Sequence, residues 1–370
     1  MNVATSALRL RKLPKSVTRL CSSRRFLHLA PPFLLDDYIP RYQTLGSRDE
    51  AKKRSAAYAH LRNCNLCPRL CGVNRYETTG ICLIGDKVKV NVIAPHFGED
   101  GVLRRLSDIT LTPHPGTSNI HLTLFAIQNR VFRVTTNFDI SHQRNGMDLT
   151  PEELGDWYMK LQEVGHVHNI NIVTPEHVVP QVALSILHAK HSGLRVPIVY
   201  NTSSFDSLAS LELMDGLVDI YLADFKVWET STSKRLLKAH DYASTARESI
   251  LAMHAQVGDL CFTADGIAKK GLLIRHLVMP GKEAEGTEIM KWLATEVSTD
   301  CFVNIMEQYR PDAHVGKRRR KSSGGGEDDV RYGDLNRAVT GEEVSVVRGA
   351  ANKAGLWRFN DPPKHDGFAI

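Results

Sequence analysis

Along this chain the apolar and polar positions settle into a regular alternation only from about residue 137 onward. Thr150-Pro151-Glu152-Glu153 reads as a capping box, with Thr150 as N-cap, Pro151 at the first helical position and Glu153 three residues in. Leu154, Trp157, Tyr158 and Leu161 follow at helical spacing and predict one buried face. Short β-rich runs then recur at 169–174 (NINIVT), 196–201 (VPIVYN), 218–225 (VDIYLADF), 272–278 (LLIRHLV) and 301–306 (CFVNIM). Helical patterns separate them: one from about Pro180 to a stop at Gly193, one at 206–214, one at 231–256 and one at 283–297. A last helix is expected at 341–354, stopped by Gly355. Upstream of the alternation the pattern predicts a short helix near 48–61 and a hairpin within 64–98, with 87–93 as one strand.

Strands alternating with helices of this length imply βαβ units and a parallel sheet. Strands apolar on both faces suit a sheet covered by helices. The choice lies between an open doubly wound sheet and a barrel or partial barrel. No Gly-x-Gly-x-x-Gly follows any of the strands, so nothing supports a dinucleotide site. Several strands end in polar groups: Thr174 with Glu176 and His177, Asn201 with Thr202, Ser203 and Ser204, Asp224 and Lys226, Arg275 and His276, and Asn304 with Glu307 and Gln308. In parallel α/β folds the ligand site lies beyond the C-terminal strand ends, so these groups predict one polar rim. His166 and His168 precede their strand and read as structural.

Charge narrows the picture. The 370 residues carry 47 Lys and Arg against 41 Asp and Glu, for a net charge of +6. Residues 1–35 contain seven basic residues and no acid, so removing them takes the +6 to −1. That segment, rich in Arg and Ser and interleaved with Leu and Val, has the composition of a mitochondrial transit peptide. The expected location is therefore the mitochondrial matrix. The run Lys317–Lys321 opens a block, 317–329 (KRRRKSSGGGEDD), that cannot build a core and reads as a flexible surface insertion. The basic runs are too local to make nucleic acid the expected partner. No run reaches the roughly 18 apolar residues of a membrane span.

Four of the seven cysteines, Cys64, Cys67, Cys71 and Cys82, lie within nineteen positions. In a reducing compartment that grouping points to metal and not to disulfides. Cys-x2-Cys puts two thiolates on one turn, and four thiolates suit either zinc or an iron–sulfur cluster. Spacing leaves both open. Cys21 falls in the leader, and Cys261 and Cys301 read as buried small apolar residues.

The motifs Cys64-Asn-Leu-Cys67-Pro-Arg-Leu-Cys71-Gly-Val-Asn-Arg75, Gly80-x-Cys82-x-x-Gly85 and Pro95-His-Phe-Gly-Glu99 resemble the opening of a radical S-adenosylmethionine subfamily similar to the pyruvate formate-lyase activating enzyme. The resemblance resumes at Asn137-Phe-Asp-Ile-Ser141 and runs through NINIVTPEH, PIVYNTSS, VDIYLADFK, RHLVMPG and NIMEQYRP. It implies an α/β fold, a partial (βα)6 barrel with a small N-terminal Cys-rich metal-binding segment. The expected organisation is a leader at 1–35, a Cys-rich region at 36–100 and the barrel at 101–360. It also implies a [4Fe–4S] cluster, S-adenosylmethionine, an electron donor such as a flavodoxin or ferredoxin, and hydrogen abstraction from a protein or peptide by a 5′-deoxyadenosyl radical. By motif, Thr174 would meet the methionine amino group. Asn201, Asp224 and Lys226 would meet the cofactor's polar groups, and Arg275 and His276 its carboxylate or ribose. Cys64, Cys67, Cys71 and Cys82 would hold the N-terminal metal.

The chain departs from the family at one place. The family's Cys-x3-Cys-x2-Cys cluster loop should fall just before Asn137, at 128, 132 and 135, where this chain has Gln128, Phe132 and Thr135. No cysteine occurs between Cys82 and Cys261. The departure spans 101–136 and ends abruptly, so it reads either as lost radical chemistry or as misjoined coding sequence. The expectation is a radical S-adenosylmethionine-type protein that, with this sequence, does not cleave the cofactor. The alternative is a non-catalytic metal- and nucleotide-binding protein built on the same fold.

Overall fold

A computed structural model describes residues 29–96, 103, 119–124, 147–311, 315–317, 330 and 332–360. In chain order the strands are β1 (Leu34–Leu35), β2 (Val88–His96), β3 (Asn119–Leu124), β4 (Met147–Leu149), β5 (Ile170–Val173), β6 (Ile198–Thr202), β7 (Ile220–Asp224), β8 (Cys261–Thr263), β9 (Ala268–Leu277), β10 (Phe302–Met306) and β11 (Arg358–Phe359). The helices are α1 (Ser47–Arg62), α2 (Pro151–Glu163), α3 (Val179–Ser192), α4 (Leu208–Met214), α5 (Thr230–Thr232), α6 (Tyr242–Val257), α7 (Glu283–Trp292) and α8 (Gly341–Ala354). Among the described residues no helix is long and apolar enough to cross a membrane.

Local chemistry accounts for the helix ends. Thr150 accepts from the Glu153 amide at 3.2 Å while the Glu153 carboxylate accepts from the Thr150 amide at 2.8 Å, and α2 starts there. Thr340 and Glu343 repeat the device at α8. Gly193 and Gly355 stop α3 and α8 in the left-handed region, at φ of 99° and 100°. Two expected helices are broken. Residues 231–256 contain a π-turn over Ser233–Leu237, a left-handed Lys238 and then α6. Residues 283–297 end in a π-turn over Leu293–Val297 after α7.

The sheet is mixed, with a parallel majority. β3, β5, β6, β7, β9, β10 and β11 are parallel neighbours in that order. β2 pairs antiparallel with β3 on one side and β4 on the other. Among the described residues the sheet does not close: it ends at β4 on one side and, beyond β9, divides into an arm through β10 to β11 and an arm through the antiparallel β8 to β1. The expected hairpin within 64–98 is not formed there: the strand at 88–96 finds its partners in β3 and β4. Residues 36–100 thus contribute a strand to the sheet and a helix, α1, whose Glu50 accepts from Lys190 and from His191 (2.8 Å) of α3.

Strand residues alternate between two faces. Ile170, Ile172, Ile198, Tyr200, Tyr221, Ala223, Leu272, Ile274, Val303 and Ile305 belong to the core cluster that also takes in the helices. The other face carries Val199, Ile220, Leu222, Leu273 and Phe302, packed with Leu103, Leu260, Phe262 and Ala268 and, among the described residues, with none from the helices α1 to α8. The helices therefore stand on one side of the parallel strands. The opposite face is floored at its N-terminal end by β8 and its flanks. Gly271 permits this closure: a Cβ there would lie 2.4 Å from the Asp259 carbonyl oxygen.

Residues 29–35, the end of the segment expected as a leader, lie among the described residues. Phe33 is buried, its ring 3.8 Å from the Arg358 guanidinium, and β1 pairs parallel with β8. Just beyond, Tyr38 donates to Asp219 at 2.5 Å, and the amides of Arg41 and Ile198 both donate to it at 2.7 Å. These contacts supply the floor with an aromatic ring and an edge strand. Residues 1–28 and most of the 317–329 insertion lie outside the described residues.

Candidate functional site

The helix-free face changes character along its length. Near the N-terminal strand ends it is aliphatic and aromatic. One or two residues further on, Asn201 of β6, Asp224 of β7, Arg275 of β9 and Asn304 of β10 occupy the same face. The register aligns Asp224 with Arg275 and Arg275 with Asn304. The Arg275 Nε donates to Asp224 Oδ1 at 2.6 Å, its guanidinium donates to Asn201 Oδ1 at 2.8 Å, and Lys226 Nζ donates to Asp224 Oδ2 at 2.6 Å. Burial alone would raise the Asp224 carboxyl, but the charges of Arg275 and Lys226 more than offset it and hold the group below its usual range. The result is a network of two cations, one carboxylate and one amide at the C-terminal ends of three neighbouring strands.

Sequence reasoning anticipated Asn201, Asp224, Lys226 and Arg275, and the structure brings all four together. Thr174 follows β5 directly and is half-buried, one residue past Val173, which is the register partner of Asn201. His276 is not on the rim. As the neighbour of Arg275 it points to the other face, where its Nδ1–H donates to the Phe225 carbonyl at 2.8 Å. A Cβ on Gly286 of α7 would come within 2.7 Å of its Nε2. Burial lowers its pKa, so it serves as a neutral packing group between strand and helix.

Two features escaped sequence reasoning. Asn171 is fully buried, beside Val199 in the register, and among the described residues both polar atoms of its amide lack a partner. Its signal was a polar residue at an inward position of the NINIVT alternation. The second is Asp206, which joins Glu176, Thr202 and Ser203, all expected on the rim, in a knot on its helix side. Glu176 Oε1 accepts from the Thr202 hydroxyl at 2.9 Å and from the Ser203 amide at 2.7 Å, while Asp206 accepts from Tyr200 and stands 2.6 Å from the same Thr202 oxygen. One hydroxyl cannot donate to two carboxylates at once. Burial, then the charge of Glu176, pushes the Asp206 carboxyl up to about 8, so at neutral pH Asp206 is the protonated member. Asp206 then donates to Thr202 and Thr202 donates to Glu176. The knot braces the ends of β5 and β6 from behind.

The cysteine lobe hangs on the same end of the sheet. The Leu66 carbonyl accepts from Ser207 Oγ at 2.9 Å and from Ser210, both at the start of α4. Gln181 of α3 donates to the Gly85 carbonyl at 3.0 Å. Cys64, Cys67 and Cys82 are buried and Cys71 is half-buried, and all four are free thiols. Arg75, also buried, donates to Cys64 Sγ at 3.0 Å and to the Ile84 carbonyl at 3.2 Å. Burial, with the neighbouring Cys64, Cys71 and Cys82, pushes the Cys67 thiol up to about 12. Among the described residues no three His, Cys, Asp or Glu side chains already converge on one ion position. Cys261 and Cys301 are buried away from this lobe, as expected of small apolar groups.

Comparison with known proteins adds little beyond the geometry. No protein-family model matches the chain. An uncharacterized protein of Methanocaldococcus jannaschii is similar to it. The two are 24% identical over 302 residues, which cover 80% of this chain and 76% of that protein. The likeness carries no assignment of function. The positions expected for the cluster loop, Gln128, Phe132 and Thr135, lie outside the described residues. Their chemistry is nonetheless fixed: an amide, a phenyl ring and a hydroxyl do not replace the thiolates of a [4Fe–4S] cluster.

Proposed function

We propose that this chain is a partial (βα)6 barrel of the radical S-adenosylmethionine type, similar to glycyl-radical-enzyme activating enzymes, that binds S-adenosylmethionine at the rim and does not cleave it. Two things support the fold. The parallel strands β3, β5, β6, β7, β9 and β10 neighbour one another in chain order. The helices stand on one side of them. Right-handed crossovers in a single direction give a curling, singly wound sheet, whereas a doubly wound sheet reverses order and carries helices on both faces.

The observation that carries the binding reading is the network of Asp224, Arg275, Lys226 and Asn201. Its two cations and one carboxylate leave a net charge of +1, which suits the carboxylate of an amino-acid-bearing ligand. The apolar floor beneath it lowers the local dielectric and strengthens each of these interactions. Asn201 and Asn304 add amide groups that both donate and accept. Asn171, its amide unpartnered among the described residues, is a further donor and acceptor on the same face. Radical cleavage requires an electron delivered through a thiolate-held cluster, and Gln128, Phe132 and Thr135 cannot hold one. The role left to this chain is binding. The acid-free, Arg- and Ser-rich composition of residues 1–35 supports a location in the mitochondrial matrix.

Titration calorimetry of the full chain with S-adenosylmethionine tests the binding. We expect saturable binding in roughly the micromolar range, and Arg275→Ala to weaken it by at least about tenfold, or about 1.4 kcal/mol. Absence of heat and of protection at millimolar ligand would refute the reading.

A further inference from the structure

We propose that Asp206 is a positioning residue for the rim: through Thr202 and Glu176 it holds the ends of β5 and β6, so that ligand binding there depends on one proton shared between two buried carboxyls. The inference rests on the reading that the rim binds S-adenosylmethionine and adds how that site is controlled.

Hydrogen-bond accounting in the knot assigns the proton. The Thr202 hydroxyl oxygen accepts from the Ser204 amide at 3.0 Å. It lies 2.9 Å from Glu176 Oε1 and 2.6 Å from Asp206 Oδ2. A hydroxyl has one hydrogen to give and two lone pairs. Glu176 Oε1 also accepts from the Ser203 amide at 2.7 Å and the Ser203 hydroxyl at 2.8 Å, a convergence of donors that marks an ionised carboxylate. The Thr202 hydrogen therefore goes to Glu176, and its second lone pair takes a hydrogen from Asp206. The other oxygen of Asp206 accepts from the Tyr200 hydroxyl at 2.6 Å. Glu176, Tyr200, Thr202, Ser204 and Asp206 are all buried.

The surroundings supply no counter-charge. Tyr221 of β7 stands edge-on to Tyr200, and its hydroxyl donates to Gln256 at 2.6 Å. From α6, Tyr242 donates to the Asp224 carbonyl and Ser249 to the Asp206 carbonyl. His177 is buried next to Glu176 in the chain. Arg69 of the cysteine lobe lies over the Phe205 ring and donates to the Lys238 carbonyl. Among the described residues neither carboxyl of the knot has a cation as hydrogen-bond partner.

Rising pH removes the proton. Burial and the charge of Glu176 place that step near pH 8. Two charges then face one hydroxyl in surroundings that screen them poorly, and Thr202 satisfies only one of them. Thr202 sits between Asn201, which accepts from the Arg275 guanidinium, and Ser203, which donates to Glu176. Thr174 lies two residues before Glu176. Opening the knot thus releases both strand ends that carry rim groups. For a ligand that binds only the closed form, apparent affinity follows the protonated fraction, which falls about tenfold from pH 7 to pH 9.

The test is titration calorimetry of the full chain with S-adenosylmethionine at pH 7, 8 and 9. The ligand's own amino group titrates in this range, so the quantity read is the ratio of native to Asp206→Asn affinity at each pH. The Asp206→Asn side chain keeps a donor toward Thr202 and an acceptor toward Tyr200 and has no proton to lose. The ratio should fall about tenfold between pH 7 and pH 9. Asp206→Ala should weaken binding about tenfold at pH 7, and Asp206→Asn should restore it. A merely structural Asp206 leaves the ratio flat, and a flat ratio overturns the proposal. If no chain binds the ligand at any pH, the rim reading fails by itself and amide hydrogen exchange decides. Protection of residues 199–207, corrected for the intrinsic pH dependence of exchange, should then drop between pH 7 and pH 9 in the native chain and hold in Asp206→Asn. Equal protection in the two chains would overturn the proposal.

Discussion

Arg275 and Arg358 sit at opposite ends of the same parallel sheet and differ in every other respect. Arg275, at the C-terminal end of β9, is half-buried and meets a carboxylate, an amide and, through Asp224, a second cation. Arg358, aligned with Phe302 at the N-terminal end of β10, is 2% exposed and forms no ion pair among the described residues. It donates to the carbonyls of Asp300 at 2.9 Å and Leu260 at 2.6 Å and is enclosed by the rings of Phe33, Phe262, Phe302 and Trp357. Burial lowers its pKa, because desolvation of the cation outweighs the charges nearby. One end of the sheet therefore uses its arginine as a plug, satisfied by backbone and aromatic faces. The other leaves its arginine in a charged network whose partners can be shared with a ligand.

If that contrast is right, Arg358→Ala is the most damaging change considered, with a loss of about 3 kcal/mol in urea unfolding and no specific effect on ligand affinity beyond it. Unchanged stability would remove the plug from the account. Phe33→Ala opens a cavity at the same place and should cost about 2 kcal/mol. A chain trimmed to begin at residue 36 should lose at least as much, and equal melting temperatures for trimmed and native chains would show that the contact is dispensable. Arg275→Ala should cost only about 1 kcal/mol of stability, since Lys226 still faces Asp224, while its effect on binding is larger. A stability loss matching that of Arg358→Ala would erase the distinction between the two ends.

The smallest expected effect concerns the knot behind the rim. The folded-state pKa of Asp206 is raised, so the folded chain binds its proton more tightly than the unfolded chain does. The stabilisation this gives is complete below the ordinary carboxylate pKa, near 4, and is lost as pH rises through about 8. Asp206→Asn keeps a donor toward Thr202 and should flatten that decline, with a change of under about 1 kcal/mol near neutral pH. A variant whose stability keeps the native pH slope between these values would show that Asp206 is not the titrating group.

Much of this could be read from residue order. The capping box at Thr150, the glycine stops at 193 and 355 and the five central strands follow from patterns within about ten residues. Four rim residues were legible because polar groups recur where strands end. What was not legible depends on contacts between distant segments. Arg275 and His276 look equivalent in sequence, and only the strand's alternation sends one to the rim and the other under α7. Phe33 lies in a segment whose composition resembles a leader, yet it packs on Arg358 far along the chain. The π-turns after Thr232 and Trp292 interrupt apolar patterns that read as continuous helix, because periodicity does not register one extra residue in a turn. The strand at 88–96 was expected in a local hairpin, and its partners come from residues 119–124 and 147–149.

The central claim is that the rim has kept a cofactor's binding groups in a chain without the thiolates for its chemistry. The direct measurement is product analysis after anaerobic reconstitution of the full chain with iron and sulfide, reduction with dithionite and incubation with S-adenosylmethionine. The account predicts that the ligand is bound and recovered intact. Release of 5′-deoxyadenosine above the protein-free control would contradict it.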